Sequence, residues 1–261
     1  MKLSNVTIGA DPEVFVSQGT QILSAIGTIG GSKEAPRPVR SGAVQEDNVL
    51  AEFNINPAHN LQEFISNIKD VYGDMSDILL QHKLQPMVIS SHRFKKQQLE
   101  SWGEKAMEFG CSSEYDAWTT KVLKKPNASS TLRTAGGHIH IGYDNPDEGI
   151  NNRIAQIMDY TLAIPSVLVD TDKLRRKMYG KPGAVRHKPY GVEYRTLSNF
   201  WIASEELMTW AYNQTVAVTQ DLSILDTFMS VVSPKEVQDV ILKSDEKRAS
   251  EICNQLGLVL P

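Results

Sequence analysis

The chain has 261 residues, of which 41% are hydrophobic and 22% charged. That balance excludes a disordered, collagen-like or coiled-coil protein and suits one large domain with its own core. A formal net charge of −4 excludes a basic nucleic-acid-binding surface spread over the whole molecule.

From the N-terminus, Leu3 to Ile8 and Glu13 to Val16 are short β-rich runs around Gly9-Ala10-Asp11-Pro12. Pro12 lacks an N–H and suits a strand start, an edge or a bulge. Ser24 to Ser41, rich in Gly, Pro and Ser, predicts a long loop of the kind that often carries function. Asn48 to Asn56 alternates with period two and predicts a strand. Val49, Ala51, Phe53 and Ile55 take one face, and Leu50, Glu52 and Asn54 the other. Asn60 with Glu63 three residues on is a capping pair for a helix through Leu61, Phe64, Ile65, Ile68, Val71 and Tyr72. A strand at Met87–Ser90 and a helix from Gln97 to Phe109, ended by Gly110, follow.

Further on, His138–Tyr143 predicts a strand, and Asn152–Val169 a helix bent or broken near Pro165. Val192–Leu197 predicts another strand. Ser204-Glu205-Glu206 opens a helix running to about Phe228, and Ser233-Pro234-Lys235-Glu236 is a clear helix start. The last helix ends near Gly257. Helices and strands do not alternate regularly, so the fold class is α+β with an antiparallel sheet, not a doubly wound one. The whole chain, 1–261, is expected as a single domain whose C-terminal part, from about 204, is helical. No apolar run reaches the ~18 residues of a membrane span, and Met1–Val16 carries Asp11 and Glu13 in place of a leader's apolar segment. Cys111 and Cys253 are far apart and lack CxxC spacing, which suits reduced thiols in the cytoplasm.

Four clusters of polar residues stand out. Asp11 and Glu13, two apart, share a strand face, where they repel each other unless a cation or arginine intervenes or the edge is solvated. Glu52 lies on the strand face opposite Phe53 and Ile55. Gly136-Gly137-His138-Ile139-His140-Ile141-Gly142 sets two imidazoles on one face, a pattern suited to metal or phosphate. Glu193 and Arg195 are same-face neighbours, either a structural ion pair or part of a site. Before them, Lys173–Lys188 holds Arg175, Arg176, Lys177, Lys181, Arg186, His187 and Lys188 with Gly180, Pro182 and Gly183. This reads as a basic loop for an anion, guanidinium groups matching phosphate or carboxylate as a fork, and it is expected to close over its ligands. Oxygen ligands with few imidazoles favour Mg2+ or Mn2+ over zinc, and such ions beside phosphate-binding arginines form a phosphoryl-transfer layout. No P-loop, HExxH or GxSxG motif occurs.

At these residues the sequence resembles the carboxylate–amine ligases of the glutamine synthetase and glutamate–cysteine ligase superfamily. It is most similar to the compact, often phage-encoded amidoligases called COOH–NH2 ligase type 2. The matching pieces are Gly9–Phe15, Glu46–Asn48 through Glu52–Pro57, Gly136–Gly142, Tyr179–Gly183 and Pro189–Ser198, in the family's order. The opening Asp-Pro-Glu departs from the Glu-x-Glu of larger relatives, and Gly110–Trp118 resembles a family segment usually richer in Asp and Pro.

The resemblance implies an antiparallel sheet curved around a site for ATP and two or more divalent cations, with helices on its outer face. By that resemblance Glu13, Asp11, Glu52, Glu193 and His138 would be metal ligands. Arg195, Glu193 and Arg186 would form the catalytic set, with Arg195 on phosphate or acyl-phosphate. Arg175, Arg176, Lys181, His138 and His140 would contact the nucleotide or a substrate carboxylate. The implied reaction joins a carboxylate to an amine at the expense of ATP, with Mg2+, through an acyl-phosphate. The acid and amine would be small molecules, peptides or proteins, with no nucleic acid or membrane as partner. The setting would be the cytoplasm, the host's if phage-encoded. Two other readings stay open: a guanidino phosphotransferase on the same fold, and a zinc hydrolase or non-catalytic metal protein using His138 and His140.

Overall fold

The structure, a computed structural model, describes residues 1–108, 114–123 and 131–260. Its strands in chain order are β1 (Thr7–Gln18), β2 (Gln21–Leu23), β3 (Arg37–Val39), β4 (Gly42–Asp47), β5 (Leu50–Ile55), β6 (Gln85–Met87), β7 (Ser91–Arg93), β8 (Tyr115–Asp116), β9 (Leu132–Thr134), β10 (Gly137–Gly142), β11 (Ala184–Lys188) and β12 (Gly191–Tyr194). The main sheet runs β3-β4-β5-β1-β10-β12-β11-β8, with β2 and β6 added along β1. The pairings are antiparallel. The α+β class with an antiparallel sheet therefore holds, and the sheet is open.

The long central strand β1 explains the sheet's form. Its first half pairs with β10 from Thr7 to Pro12, and Glu13 and Val14 then pair with β5. The two β-rich runs of the sequence are one strand, because Pro12 does not interrupt it. Ile8 N–H donates to Ala58 O on the edge away from β10. Alternation puts position 12 on that same edge, in the gap before the Glu13–Glu52 pair, where no ladder bond is lost to the missing N–H.

Even-numbered β1 residues Ile8, Ala10, Val14 and Val16 face the core, against helix Leu61–Gln81 and the C-terminal helices. Phe64 stacks on Trp201 there, with ring centroids 5.9 Å apart. Asn60 caps the first of these helices by accepting from Glu63 N–H, while Glu63 accepts from His59 N–H. A smaller core under β1 gathers Phe15, Leu50, Phe94 and Leu99.

Several boundaries differ from the sequence reading. The predicted strand Asn48–Asn56 is the second arm of a hairpin, β4 and β5 turning at Asn48 with φ +56°. The Ser24–Ser41 stretch is not all loop, since β3 lies within it. In place of Met87–Ser90, strands lie at Gln85–Met87 and Ser91–Arg93. Gly103 splits the predicted Gln97–Phe109 helix into Lys96–Ser101 and Glu104–Met107; Phe109 and Gly110 lie outside the described residues. The helix expected to be bent or broken near Pro165 continues through it and widens just before it. A π turn at Asp159–Ala163 joins Glu148–Met158 to Ile164–Val169, and Ile164 N–H reaches back to Asp159 O. The helix expected from Ser204 to Phe228 is two, Glu205–Gln220 and Ile224–Val231. Ser233 accepts from Glu236 N–H at the next start, and Gly257 at φ +61° ends the last helix. Among the described residues, no helix is long and apolar enough to cross a membrane.

The basic segment is the largest correction. Lys173–Lys188 is not a loop: it contains the helical turn Arg175–Met178 and strand β11. β11 is paired on both edges, to β12 and to β8.

Candidate active site

Odd-numbered β1 residues and their neighbours line a cavity of about 560 Å3 on the other face of the sheet. Asp11, Glu13, Asp47, Glu52, Glu114, His138, His140, Arg186, Lys188 and Arg195 lie on its wall.

One end is acidic. Glu13 stands directly opposite Glu52, and Glu52 opposite Gln45, in one row across β1, β5 and β4. Gln45 Nε2 donates to Glu52 Oε2 at 2.8 Å, and Gly136 N–H donates to Glu13 Oε2 at 2.6 Å. Oxygens of Glu13, Asp47 and Glu52 all lie within 4.8 Å of one another. No salt bridge joins these three to a cationic side chain among the described residues. Burial, then the charge of Asp47, pushes the Glu13 carboxyl up to about 8. Burial and the charges of Asp11, Asp47 and Glu13 push Glu52 well up. Facing like charges are costly on a sheet. A compact, oxygen-only donor set with raised proton affinity fits a hard divalent cation of the Mg2+ or Mn2+ type.

The opposite wall is cationic around Glu193, which is fully buried. Arg186 Nη1 donates to both its oxygens at 3.0 and 3.2 Å, Lys188 Nζ lies 2.8 Å away, and Arg195 Nη1 donates to Oε1. Burial works to raise the Glu193 carboxyl, but the charge of Arg195, joined by those of His138 and His140, holds it down at about 2. Arg195 also donates through Nε to Glu114 Oε1 at 2.6 Å. Burial opposes the charge on Arg195, and Glu193 and Glu114 more than restore it.

Between the two ends lies Asp11. Its Oδ1 is 3.1 Å from His138 Nδ1 and 3.0 Å from His140 Nε2, the second contact lying off hydrogen-bonding angles. His140 Nδ1 meets Tyr190 Oη at 2.5 Å. Asp11, His140 and Glu193 form a second group with ligand atoms within 4.8 Å of one another. Burial and Arg195 lower the proton affinity of His138, while for His140 burial works to lower it and contact with Asp11 together with the charge of Glu193 raises it.

The metal-ligand residues read from the sequence thus fall into two adjoining groups: Glu13 and Glu52 in one, Asp11 and Glu193 in the other. His140, not His138, belongs to a group. Arg186 and Arg195 line the cavity. Arg175 does not; it lines a smaller cavity beside it, with Nη1 on Thr196 O at 2.6 Å and Nη2 on Arg195 O at 3.1 Å. Arg176 is buried away from both cavities, its guanidinium shared among Asp170, Asp172, Ser166 and Ser244. The Lys181 side chain reaches neither cavity wall, although its carbonyl accepts from Thr196 Oγ1 at 2.9 Å.

Sequence reasoning missed Asp47, Glu114, Tyr179 and Tyr190. Asp47 was within reach, because a hairpin over Gly42–Ile55 puts it on the face of Gln45 and Glu52. Glu114 gave no local signal: it meets Arg195 across 81 positions of sequence. Its segment is pinned from below, where Trp118 Nε1 donates to Asp159 Oδ2 and Tyr194 Oη donates to Asp159 Oδ1, both at 2.7 Å. Burial pushes the Asp159 carboxyl up to about 7. Gly110 to Ser113 of the Gly110–Trp118 segment, including Cys111, lie outside the described residues, and Cys253 is a buried free thiol.

Residues 130–257 match the model of a family described as phage phiEco32-like COOH–NH2 ligase-type 2. The match supports the family that the sequence motifs resemble, and the family's name supports a carboxylate–amine ligase in general. It takes in β10, β11, β12 and the C-terminal helices; β1, β4 and β5, with the acidic end of the cavity, precede it. No curated protein matches the chain.

Proposed function

We propose that this chain, with a COOH–NH2 ligase-type 2 match over residues 130–257, is an ATP-dependent amidoligase that joins a carboxylate to an amine through an acyl-phosphate. The observation that carries the reading is the polarity of one cavity. Among the described residues no salt bridge reaches Glu13, Asp47 or Glu52 at one end, and Arg186, Lys188 and Arg195 gather at the other.

A carboxylate is a poor acyl donor, since it is charged and lacks a leaving group. When bound, ATP with Mg2+ or Mn2+ supplies the phosphoryl group that turns it into one. Glu13, Asp47 and Glu52 would hold the cation, and Asp11, His140 and Glu193 offer a second donor set. Arg186, Lys188 and Arg195 set fixed positive charge where phosphate oxygens gather negative charge, which costs no reorganisation during reaction. Arg195 is held in place by Glu114 and Glu193 and stays fully protonated. The amine nitrogen then bonds to the acyl carbon as the carbon–oxygen bond to phosphate breaks, and its surplus protons pass to phosphate and water. The chain's own part is positioning and electrostatics, not covalent catalysis.

The acid and amine are small molecules, peptides or protein groups, and the cytoplasm, with its ATP, is the proposed setting. The zinc reading draws less support, because His138 and His140 do not converge on one group. The test is a screen for ADP release over pooled acids and amines, with mass spectrometry of the products. ADP, inorganic phosphate and an amide in equal amounts are expected. A phosphorylated guanidine without free phosphate would favour the phosphotransferase, and tightly bound zinc without ATP turnover the hydrolase.

A further inference from the structure

We propose that the smaller cavity seats the amine substrate, and that this substrate is a small α-amino acid held by both of its charged ends. The inference rests on the ligase reading and names the amine that reading leaves open.

The side cavity has a volume of about 80 Å3, close to the space that about three waters occupy in the liquid. It admits a molecule the size of glycine or alanine. Glu13, Asp47, His138, Tyr179 and Arg195 line both cavities and so form their shared mouth. Thr134 and Arg175 line only the smaller one and are buried, which marks its inner end. An amine that attacks an acyl group in the main cavity keeps its nitrogen at the mouth. The rest of the molecule then points inward.

Two acids at the mouth and a buried guanidinium inside follow that direction. Arg195, also at the mouth, is taken up by Glu114 and Glu193, and Glu108, on the smaller cavity alone, is exposed. At the mouth, Glu13 and Asp47 offer carboxylate oxygens to an amino group. Each carboxylate has lone pairs for more than one partner, so holding a cation does not exhaust them. At the inner end stands Arg175, only 2% exposed. Its Nη atoms are committed to Thr196 O and Arg195 O, but its Nε is buried with no hydrogen-bond partner among the described residues. Leaving a buried donor unpaired is costly, and the carboxylate of an amino acid supplies the missing acceptor. Arg133, the other wholly inner guanidinium, is spoken for by Asn48 Oδ1, Leu132 O and Ala106 O. The seat of Arg175 is built into the backbone. Gly180, at φ +68°, packs so close that any side chain there would collide with the guanidinium.

Isothermal titration of the full chain, with and without Mg2+ and a non-hydrolysable ATP analogue, tests this. Glycine and L-alanine are compared with ethylamine and propionate, which carry one charge each. At least one of the two amino acids is expected to bind about tenfold or more tighter than either single-charge control, and L-phenylalanine not to bind. Arg175→Lys keeps the charge but loses the Nε–H donor and the planar guanidinium that holds it in place. It is expected to weaken amino-acid binding about tenfold or more and to leave analogue binding unchanged. If that variant does not fold, the wild-type ligand series decides alone. Amino acids binding no better than ethylamine or propionate, while the analogue binds, overturns the inference and spares the ligase reading. An analogue that fails to bind overturns the ATP reading, and the amino-acid titrations without it still judge the side cavity.

Discussion

Arg195 donates through Nε to Glu114 at 2.6 Å while its Nη1 holds Glu193, so one planar guanidinium bridges two carboxylates that approach from different parts of the chain. A lysine ammonium is a single point charge and cannot reproduce that bridge. Arg195→Lys is therefore expected to fold with a modestly lower melting temperature and to keep nucleotide binding. It is expected to lose at least about tenfold in turnover, roughly 1.4 kcal/mol of transition-state stabilisation. ADP release by the variant, measured beside its melting curve, checks this; wild-type turnover would remove Arg195 from the reaction.

The acidic triad gives two effects of opposite sign. Without divalent cations, Glu52→Gln removes a buried acid that Asp11, Asp47 and Glu13 disfavour, so its melting temperature should exceed that of the wild type. With Mg2+ or Mn2+, the wild type should gain stability by mass action and the variant should gain less, because a ligand is lost. Melting curves across a metal titration read both effects. A variant that is less stable without metal would contradict the placement of Glu52 against uncompensated charge.

Asp159 predicts a pH dependence. Its folded value of about 7 lies above the ordinary value of 3.8, so the folded state holds the proton more tightly than the unfolded one. Stability from this group is full below about pH 4 and is lost as pH rises through about 7. Asp159→Asn cannot ionise and still accepts from Trp118 Nε1. Its stability relative to the wild type should therefore improve from pH 5 to pH 8. Urea unfolding at several pH values, with Mg2+ present to hold Glu13 constant, measures the slope difference; parallel profiles would refute it.

The strand at Ala184–Lys188 carries a prediction about motion. Paired to β12 and β8, its amides should exchange slowly without any ligand and change little when an ATP analogue and Mg2+ are added. Hydrogen exchange with mass spectrometry reads this peptide directly. Fast exchange in the free protein would mean that the pairing seen here is not the resting state.

The strand faces were legible because period two is a local property. Asp11 with Glu13, His138 with His140 and Glu193 with Arg195 each share a face by counting alone. Which of these faces meet was carried by the order of motifs along the chain, which the resemblance supplied. Pro12 misled locally, since a missing N–H matters only on an edge that is paired, and pairing is decided by distant strands. The basic run Lys173–Lys188 misled for a related reason. Charge density suggests solvent, yet Arg175 and Arg176 are 2% and 4% exposed, because backbone carbonyls accept from the Nη atoms of Arg175 and Asp170 pairs with Arg176 inside. The role of Glu114 could not be read, although its segment Gly110–Trp118 stood out by resemblance, since that role exists only through a contact made by folding.

The change of partner along β1 has one more consequence. Asp11 and Glu13, one in each acidic group, are separated by a single residue of continuous strand. The distance between their backbones, about 6.6 Å at roughly 3.3 Å per residue, is therefore set by covalent bonds and not by tertiary packing. Loops around the rim can rearrange and the helices beneath can shift without changing it. The spacing between the two groups is a ruler written into three consecutive residues, and a one-residue insertion at Pro12 would turn one of the two carboxylates to the opposite face.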